Sequence, residues 1–235
     1  MNVTALEEVL ESVKCVFFDF DGPICRLFSA HPAAQVAGQL HTMLDSCAPG
    51  MVGPSEYDSN DPHSILAAAR KLLPDDDMVR KVEMLLTQEE KAAAATATPT
   101  ADAHELVSEL HGLGRSLAIT SNNSAAAIQV HLERQELSQY FSSHVHGRRP
   151  DGSGLKPDPD CLWRAIGSTG TTPDQCVMIG DTPSDWHAAM AAGVAFIGYA
   201  RAPHKEQALR ETGAPLVVDS MGAMLHVLRG TAPSR

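Results

Sequence analysis

Basic residues are scarce in this chain of 235 residues: Lys and Arg number 18 against 29 Asp and Glu, a formal net charge of −11. That balance is poorly suited to gripping nucleic acid or an anionic membrane surface. Long apolar runs are missing too, and none approaches the roughly 18 residues needed to cross a bilayer. The opening MNVTALEEVLESVK has neither a basic start nor an apolar middle, so it does not read as a signal peptide. Cysteines are few: Cys15, Cys25, Cys47, Cys161 and Cys176 make an odd count with no C-x-x-C. This argues against a disulfide framework and a zinc site and suits a reducing cytoplasm, with most of the five as small core residues. Internal repeats are absent. The one low-complexity patch, AAAATATPT at 92–100, reads as the frayed end of a helix entering a linker.

Apolar material is nevertheless ample, with 43% of residues hydrophobic and 20% charged. That excludes low-complexity disorder and fits one large domain, or one of ordinary size with an insert. A helix is expected at about 4–12. A buried strand follows at 13–18, where VKCVFF is stopped by Asp and Gly. From about 24 to 99 the text is helical. Helices are expected over 33–44, from Asp61 as N-cap with Pro62 at N1, and over roughly 75–91, where Asp75, Asp76 and Asp77 favour the positive helix end. From 100 onward, short strands at 116–120, 140–146, 175–179, 194–199 and 215–218 alternate with helices. Such alternation implies right-handed crossovers and a parallel sheet covered on both faces.

Three of the strand-like runs end in small, polar and acidic clusters: DFDG, SNNS and GDTPSD. The C-terminal ends of parallel strands share one edge, where open α/β sheets bind ligands, so three distant segments are expected to meet in one pocket. Asp19 and Asp21, two apart at a strand end, can face one site. Asp181 and Asp185 stand at the end of another run. Four converging carboxylates repel unless a cation is present, and a hard, oxygen-seeking Mg²⁺ is the natural neutraliser. Lys156 in GLKPDP adds a fixed positive charge, and Ser121 and Asn122 add uncharged donors. These groups together suit phosphoryl transfer, with one carboxylate as nucleophile and a second moving a proton.

DFDGPI at 19–24, the run ending in SN at 121–122, Lys156 before Pro157 and GDTPSD at 180–185 resemble, in order, the four motifs of the haloacid dehalogenase superfamily. The resemblance covers 14 to about 199. Between the first two motifs it holds only in length and helical character, and that segment resembles the helical cap of the phosphoglycolate phosphatase and β-phosphoglucomutase branches. The implied fold is α/β, a Rossmann-like doubly wound parallel sheet formed by 1–22 and 100–235, with an inserted α-helical cap at 23–99. The resemblance implies Asp19 as nucleophile and Mg²⁺ ligand, and Asp21 as general acid/base that also offers its carbonyl to the metal. It implies Ser121 and the Asn122 N–H as holders of the phosphoryl group, with the Phe20 and Asp21 amides. It further implies that Lys156 pairs with nucleophile and phosphate, that Asp181 ligates Mg²⁺ and that Asp185 steadies the metal's waters. Pro23 departs from the usual Thr or Val, and Asn122-Asn123 doubles the usual single Asn, leaving that register open by one residue.

Each motif alone has a plain structural reading: a solvated turn, a helix cap at Asp185 or Ser121–Ser124, a surface lysine at Lys156. The ordered set outweighs these readings. His144 and His146 lack a third metal ligand nearby. Arg148 and Arg149 are surface charge or helpers at the pocket mouth. Tyr57, Asp58 and His63 read as exposed polar residues, and Trp163 and Trp186 as packing anchors. A dehalogenase would want a non-acidic residue at position 21 and no metal, and a receiver domain is about half as long. A phosphomutase shares every core motif and stays open beside a Mg²⁺-dependent phosphatase. The expected partner is a small phosphorylated substrate acted on by a monomer or homodimer, with specificity in 24–99, where no motif is legible.

Overall fold

The computed structural model describes residues 3–73 and 76–230. The strands are β1 (Cys15–Phe18), β2 (Cys25–Arg26), β3 (Thr98–Pro99), β4 (Ser116–Thr120), β5 (Val145–His146), β6 (Cys176–Gly180), β7 (Ala195–Tyr199) and β8 (Val217–Val218). Six of them form one parallel sheet in the order β5-β4-β1-β6-β7-β8. The helices are α1 (Val3–Ser12), α2 (Ala33–Cys47), α3 (Pro62–Leu72), α4 (Asp76–Thr96), α5 (Ala103–Gly112) and α6 (Ala125–Arg134). They continue with the short α7 (Ser138–Phe141), then α8 (Asp160–Thr169), α9 (Pro183–Ala192), α10 (Pro203–Glu211) and α11 (Met221–Leu228).

The CVFF run explains why β1 is central. Side chains alternate across a strand, and here both faces are apolar. Val16 and Phe18 join Leu6, Leu110, Ile128 and Met224 on one side of the sheet, while Cys15 and Phe17 join Leu162, Ala188 and Leu209 on the other. The first side is covered by α1, α5, α6 and α11, the second by α8, α9 and α10. The sheet is therefore doubly wound, as the alternating text implied. Burial of each Phe side chain contributes roughly 1.5–3 kcal/mol. The expected strand at 140–146 is shorter than its text, because Ser138–Phe141 turns as α7 and Phe141 packs edge-on against Phe18 at 6.1 Å.

A third apolar cluster lies among α2, α3 and α4, built from Val36, Leu40, Ile65, Leu66, Val82 and Leu86. Asp61 caps α3 through His63 N at 2.9 Å, with Pro62 in the first turn. Of the three acids expected to open the next helix, Asp75 lies outside the described residues, and Asp77 pairs with Arg80 at 3.0 Å. The Ala-rich text at 92–100 is not a frayed end. The helix runs on to Thr96, and Ala93, Ala94 and Ala97 are fully buried beside α6. Arg134 of α6 donates to the carbonyls of Ala94 (3.1 Å) and Ala97 (3.3 Å), satisfying the helix end. Small residues there allow close helix packing, which propensity alone does not reveal. The chain leaves and rejoins the sheet side by side: β2 pairs antiparallel with β3, and Thr100 N donates to Ile24 O at 3.0 Å.

Candidate active site

Asp19 follows β1 directly, and its N–H continues the sheet pairing to Ile179 O at 2.9 Å. Its carboxylate therefore stands at the C-terminal edge, opposite the end of β6. Lys156 reaches the same point from the loop before α8. Its Nζ donates to Asp19 Oδ1 at 2.8 Å, Asp185 Oδ1 at 2.5 Å and Thr120 O at 3.0 Å. Burial opposes the lysine's charge, but Asp185 and Asp19 outweigh it and hold the ammonium above the usual lysine range. Burial pushes the Asp19 carboxyl up to about 6, against the pull of Lys156.

Asp185 does two things at once. Its Oδ2 accepts from Asp181 N and Thr182 N, both at 3.0 Å, while Thr182 Oγ1 accepts from Asp185 N at 3.3 Å. That capping box opens α9. Its other oxygen accepts from Lys156, so the residue that caps the helix also stands against the buried lysine. Asp181 enters from the turn after β6 and pairs with Lys205 of α10 through Oδ2. Burial raises the Asp181 carboxyl to about 8, with Lys205 opposing. Gly22, at φ +120°, lies so close that a methyl group there would collide with the Asp181 carboxylate. One carboxylate oxygen each from Asp19, Asp181 and Asp185 lie within 4.8 Å of one another. Asp181 Oδ1 is buried with no hydrogen-bond partner among the described residues. An all-oxygen donor set with an orphaned buried carboxylate oxygen fits a hard divalent cation such as Mg²⁺.

Asp21 stands two residues beyond Asp19, just past the end of β1. Its Oδ1 accepts from Leu27 N at 2.8 Å, and burial raises its carboxyl above the usual range. Phe20 between them is fully buried, its ring edge-on to His131 at 5.5 Å. The doubled Asn divides its work. Asn122 Oδ1 accepts from Lys156 N at 2.7 Å and so holds the lysine's backbone. Asn123 Oδ1 accepts from Ser121 Oγ at 3.1 Å, and Asn123 N donates to that same hydroxyl at 3.2 Å. Asn122 therefore carries Lys156 and Asn123 braces Ser121.

A buried ionic cluster ties α4 to this loop. Arg148 donates through Nη1 to Glu90 at 2.6 and 2.8 Å and to Asn122 O at 3.1 Å, through Nε to Glu83 at 3.1 Å and through Nη2 to Thr87 at 2.8 Å. Glu90, with no exposed surface, also accepts from Ser124 N at 2.9 Å, Asn123 Nδ2 at 3.0 Å and His63 at 3.0 Å. Burial alone would raise the Glu90 carboxyl, yet Arg148 and His63 hold it down at about 2. Gly147 permits the approach, since a methyl group there would collide with Asn123 O and Ala125 N.

Residues 16–199 match the family model of haloacid dehalogenase-like hydrolases. The chain belongs to the haloacid dehalogenase-like hydrolase family. It is similar to the phosphoglycolate phosphatase of Salmonella paratyphi A, 29% identical over 119 residues, 51% of this chain and 46% of that protein. That of Pseudomonas putida is 27% identical over 146 residues, 58% of this chain and 53% of the other. The chain spans about half the length of the curated relatives it matches. The fold is similar to CbbY from Rhodobacter sphaeroides in complex with phosphate, with TM-score 0.67 at 17% identity over 92% of this chain and 99% of that one. A haloacid dehalogenase family hydrolase from Deinococcus radiodurans with bound phosphate and sodium gives TM-score 0.60 at 23% identity, covering 95% and 99%.

In this haloacid dehalogenase-like chain several candidates sit elsewhere. His144 and His146 both bond Ser168 Oγ, at 3.0 and 2.8 Å. Arg149 is exposed and pairs with Asp160. Arg148 is neither surface charge nor a mouth residue but wholly internal. Tyr57 bonds His41 at 2.5 Å, and exposed Asp58 caps its own turn, so neither joins the cluster at Asp19. Trp186 packs on Phe196 as expected, whereas Trp163 is 56% exposed and anchors no core. Glu83, Thr87 and Glu90 escaped sequence reading. Their spacing of four and three places them on one helix stripe, a signal indistinguishable from a solvated face until Arg148 is seen to meet it.

Proposed function

We propose that the chain is a Mg²⁺-dependent phosphatase that hydrolyses a small organic phosphate monoester through an aspartyl phosphate on Asp19. The observation that carries this reading is the convergence of the Asp19, Asp181 and Asp185 carboxylates, with Lys156 bonded to Asp19 and Asp185 and with Asp21 two residues beyond Asp19. Asp19, Asp181 and the Asp21 carbonyl would hold Mg²⁺, and Asp185 would steady its waters. When bound, the ion neutralises the crowded carboxylates and the phosphate oxygens. Asp19 attacks phosphorus, and the bond from phosphorus to the alkoxide oxygen breaks. Asp21, whose carboxyl burial raises above the usual carboxylate range, gives a proton to that alkoxide. Lys156, Ser121 and the amides of Phe20, Asp21 and Asn122 hold the phosphoryl oxygens in place. Asp21 then takes a proton from water as that water attacks phosphorus, and the bond to Asp19 breaks to release phosphate.

We assign 1–22 and 100–235 to the catalytic core and 23–99 to a cap that governs access. Its own apolar cluster and the paired crossing strands β2 and β3 support that division. No described helix is long and apolar enough to cross a membrane, and five free cysteines suit a reducing compartment such as the cytoplasm.

Phosphate release from a panel of small phosphate esters with Mg²⁺ tests the reading. Turnover is expected to stop with a chelator, to return with Mg²⁺ and to vanish in Asp19→Asn while the fold survives. Turnover indifferent to chelation, or retained by Asp19→Asn, would refute it. Recovery of an isomerised sugar phosphate in place of free phosphate would turn the assignment to a phosphomutase.

A further inference from the structure

We propose that Glu90 and Asn123 are positioning residues for phosphoryl transfer, a buried relay from α4 that fixes where the Ser121 hydroxyl points. The proposal rests on the phosphatase reading, which gives that hydroxyl a phosphoryl oxygen to hold. It adds to that reading two residues that act through Ser121 and need not touch substrate.

The direction of each bond follows from what its atoms can do. An ionised carboxylate only accepts hydrogen bonds. Burial works against the Glu90 charge, but Arg148 and His63 hold its carboxyl down at about 2, so Glu90 is an acceptor at any neutral pH. Asn123 must therefore turn its Nδ2 toward Glu90 Oε1, at 3.0 Å. With its ends exchanged, the amide would set Oδ1 against the carboxylate. With Nδ2 so placed, Oδ1 faces Ser121 and accepts from its Oγ at 3.1 Å. The same Oγ accepts from Asn123 N at 3.2 Å. An arriving phosphoryl oxygen needs only to draw the hydroxyl hydrogen away from Oδ1 by rotation about the C–O bond, while Asn123 N keeps Oγ in place.

The backbone around the relay is held as well. Asn123 O accepts from Arg148 N at 3.1 Å, Ser121 N donates to His146 O at 3.1 Å, and Ser124 N donates to the other Glu90 oxygen at 2.9 Å. Ser121 and Asn123 are each 2% exposed, and Glu90 has no exposed surface. Polar groups buried this deeply are costly when any one is left unpaired, so the bonds hold together as a unit. A free serine side chain samples three staggered rotamers. Here one of them is selected by a carboxylate 33 residues away from Asn123 in the chain. Donors fixed before the substrate arrives are what phosphoryl transfer, which is mostly positioning, requires.

The test is a double-mutant cycle on the full chain with Mg²⁺: wild type, Ser121→Ala, Asn123→Ala and the two combined. Turnover of p-nitrophenyl phosphate gives kcat and KM, calorimetry gives the Kd of inorganic phosphate, and urea unfolding follows the fold of each preparation. Asn123→Ala leaves the pair between Glu90 and Arg148 in place. It is expected to lower kcat/KM and to weaken phosphate binding, each about ten-fold, with the loss divided between kcat and KM as it is in Ser121→Ala. In the Ser121→Ala background the same substitution should change either by no more than about two-fold, because no hydroxyl is left to place. It should still lower the urea midpoint there. Glu90→Gln, whose amide offers one acceptor oxygen in place of two, supplies an independent arm and should repeat the pattern. Losses that multiply across the two backgrounds would make Asn123 a structural residue only and overturn the proposal. So would a Ser121→Ala variant indistinguishable from wild type, or phosphate binding that is absent from wild type or undiminished in Asn123→Ala. A wild type that binds phosphate but turns over neither p-nitrophenyl phosphate nor any ester of the panel would sink the phosphatase reading instead, and the binding cycle then decides the relay by itself.

Discussion

Asp185 illustrates how one residue serves local and tertiary structure together. One oxygen closes the first turn of α9, the other meets Lys156, so the helix start is positioned by the same carboxylate that orients the lysine. Asn122 and Asn123 divide labour in the same manner, one for Lys156 and one for Ser121. Gly22 belongs to this scale as well. A side chain there meets both a left-handed backbone and the Asp181 carboxylate. Gly22→Ala is expected to cost ~1–3 kcal/mol of stability from backbone strain and, by displacing Asp181, to lower kcat/KM by up to about 100-fold. Urea unfolding and steady-state kinetics on the same preparation measure both. Wild-type kinetics in the variant would show that Asp181 tolerates the shift.

Among elements, α4 carries the least expected role. Its first half packs in the cluster with α2 and α3, while its second half lies on α6. Glu90 stands where the two halves meet and reaches the loop that braces Ser121. Glu90→Gln removes one partner of a buried ion pair and is expected to cost ~3–5 kcal/mol at pH 7. The sign with pH follows from a folded carboxyl near 2 against an ordinary value of 4.5. The stabilisation is complete above about 4.5 and is lost as pH falls toward 2. The stability gap between wild type and Glu90→Gln should therefore narrow when urea midpoints are compared at pH 7 and pH 3. A gap independent of pH would mean that Arg148 does not lower the Glu90 carboxyl.

For the whole molecule, the acidic balance has a local counterpart. Asp19, Asp181 and Asp185 meet within a few ångströms, opposed by Lys156 and Lys205. A divalent cation binding the folded state alone raises its stability by about 2.7 kcal/mol at a hundred times its Kd. Thermal unfolding should accordingly shift upward with Mg²⁺ and return with chelator, and Asp181→Asn should shrink the shift. An unfolding temperature that ignores Mg²⁺ would remove the metal from this account.

The sequence by itself determined the doubly wound sheet. Two-faced apolar strands such as CVFF and regularly alternating helices leave few other ways to bury that surface. It also marked Asp19, Asp21, Lys156, Asp181 and Asp185, because their types and spacing relate to chemistry that needs them together. Tertiary structure alone decided the rest. Arg148 proved internal because its partners lie 58 and 65 residues away on α4. The Ala-rich segment proved a close-packed helix because α6 covers it. Arg26, Arg201 and Lys205 share one cavity because β2, the end of β7 and α10 converge there. Pairing between distant segments leaves no period or spacing in the text, so such contacts become visible only once the chain has folded.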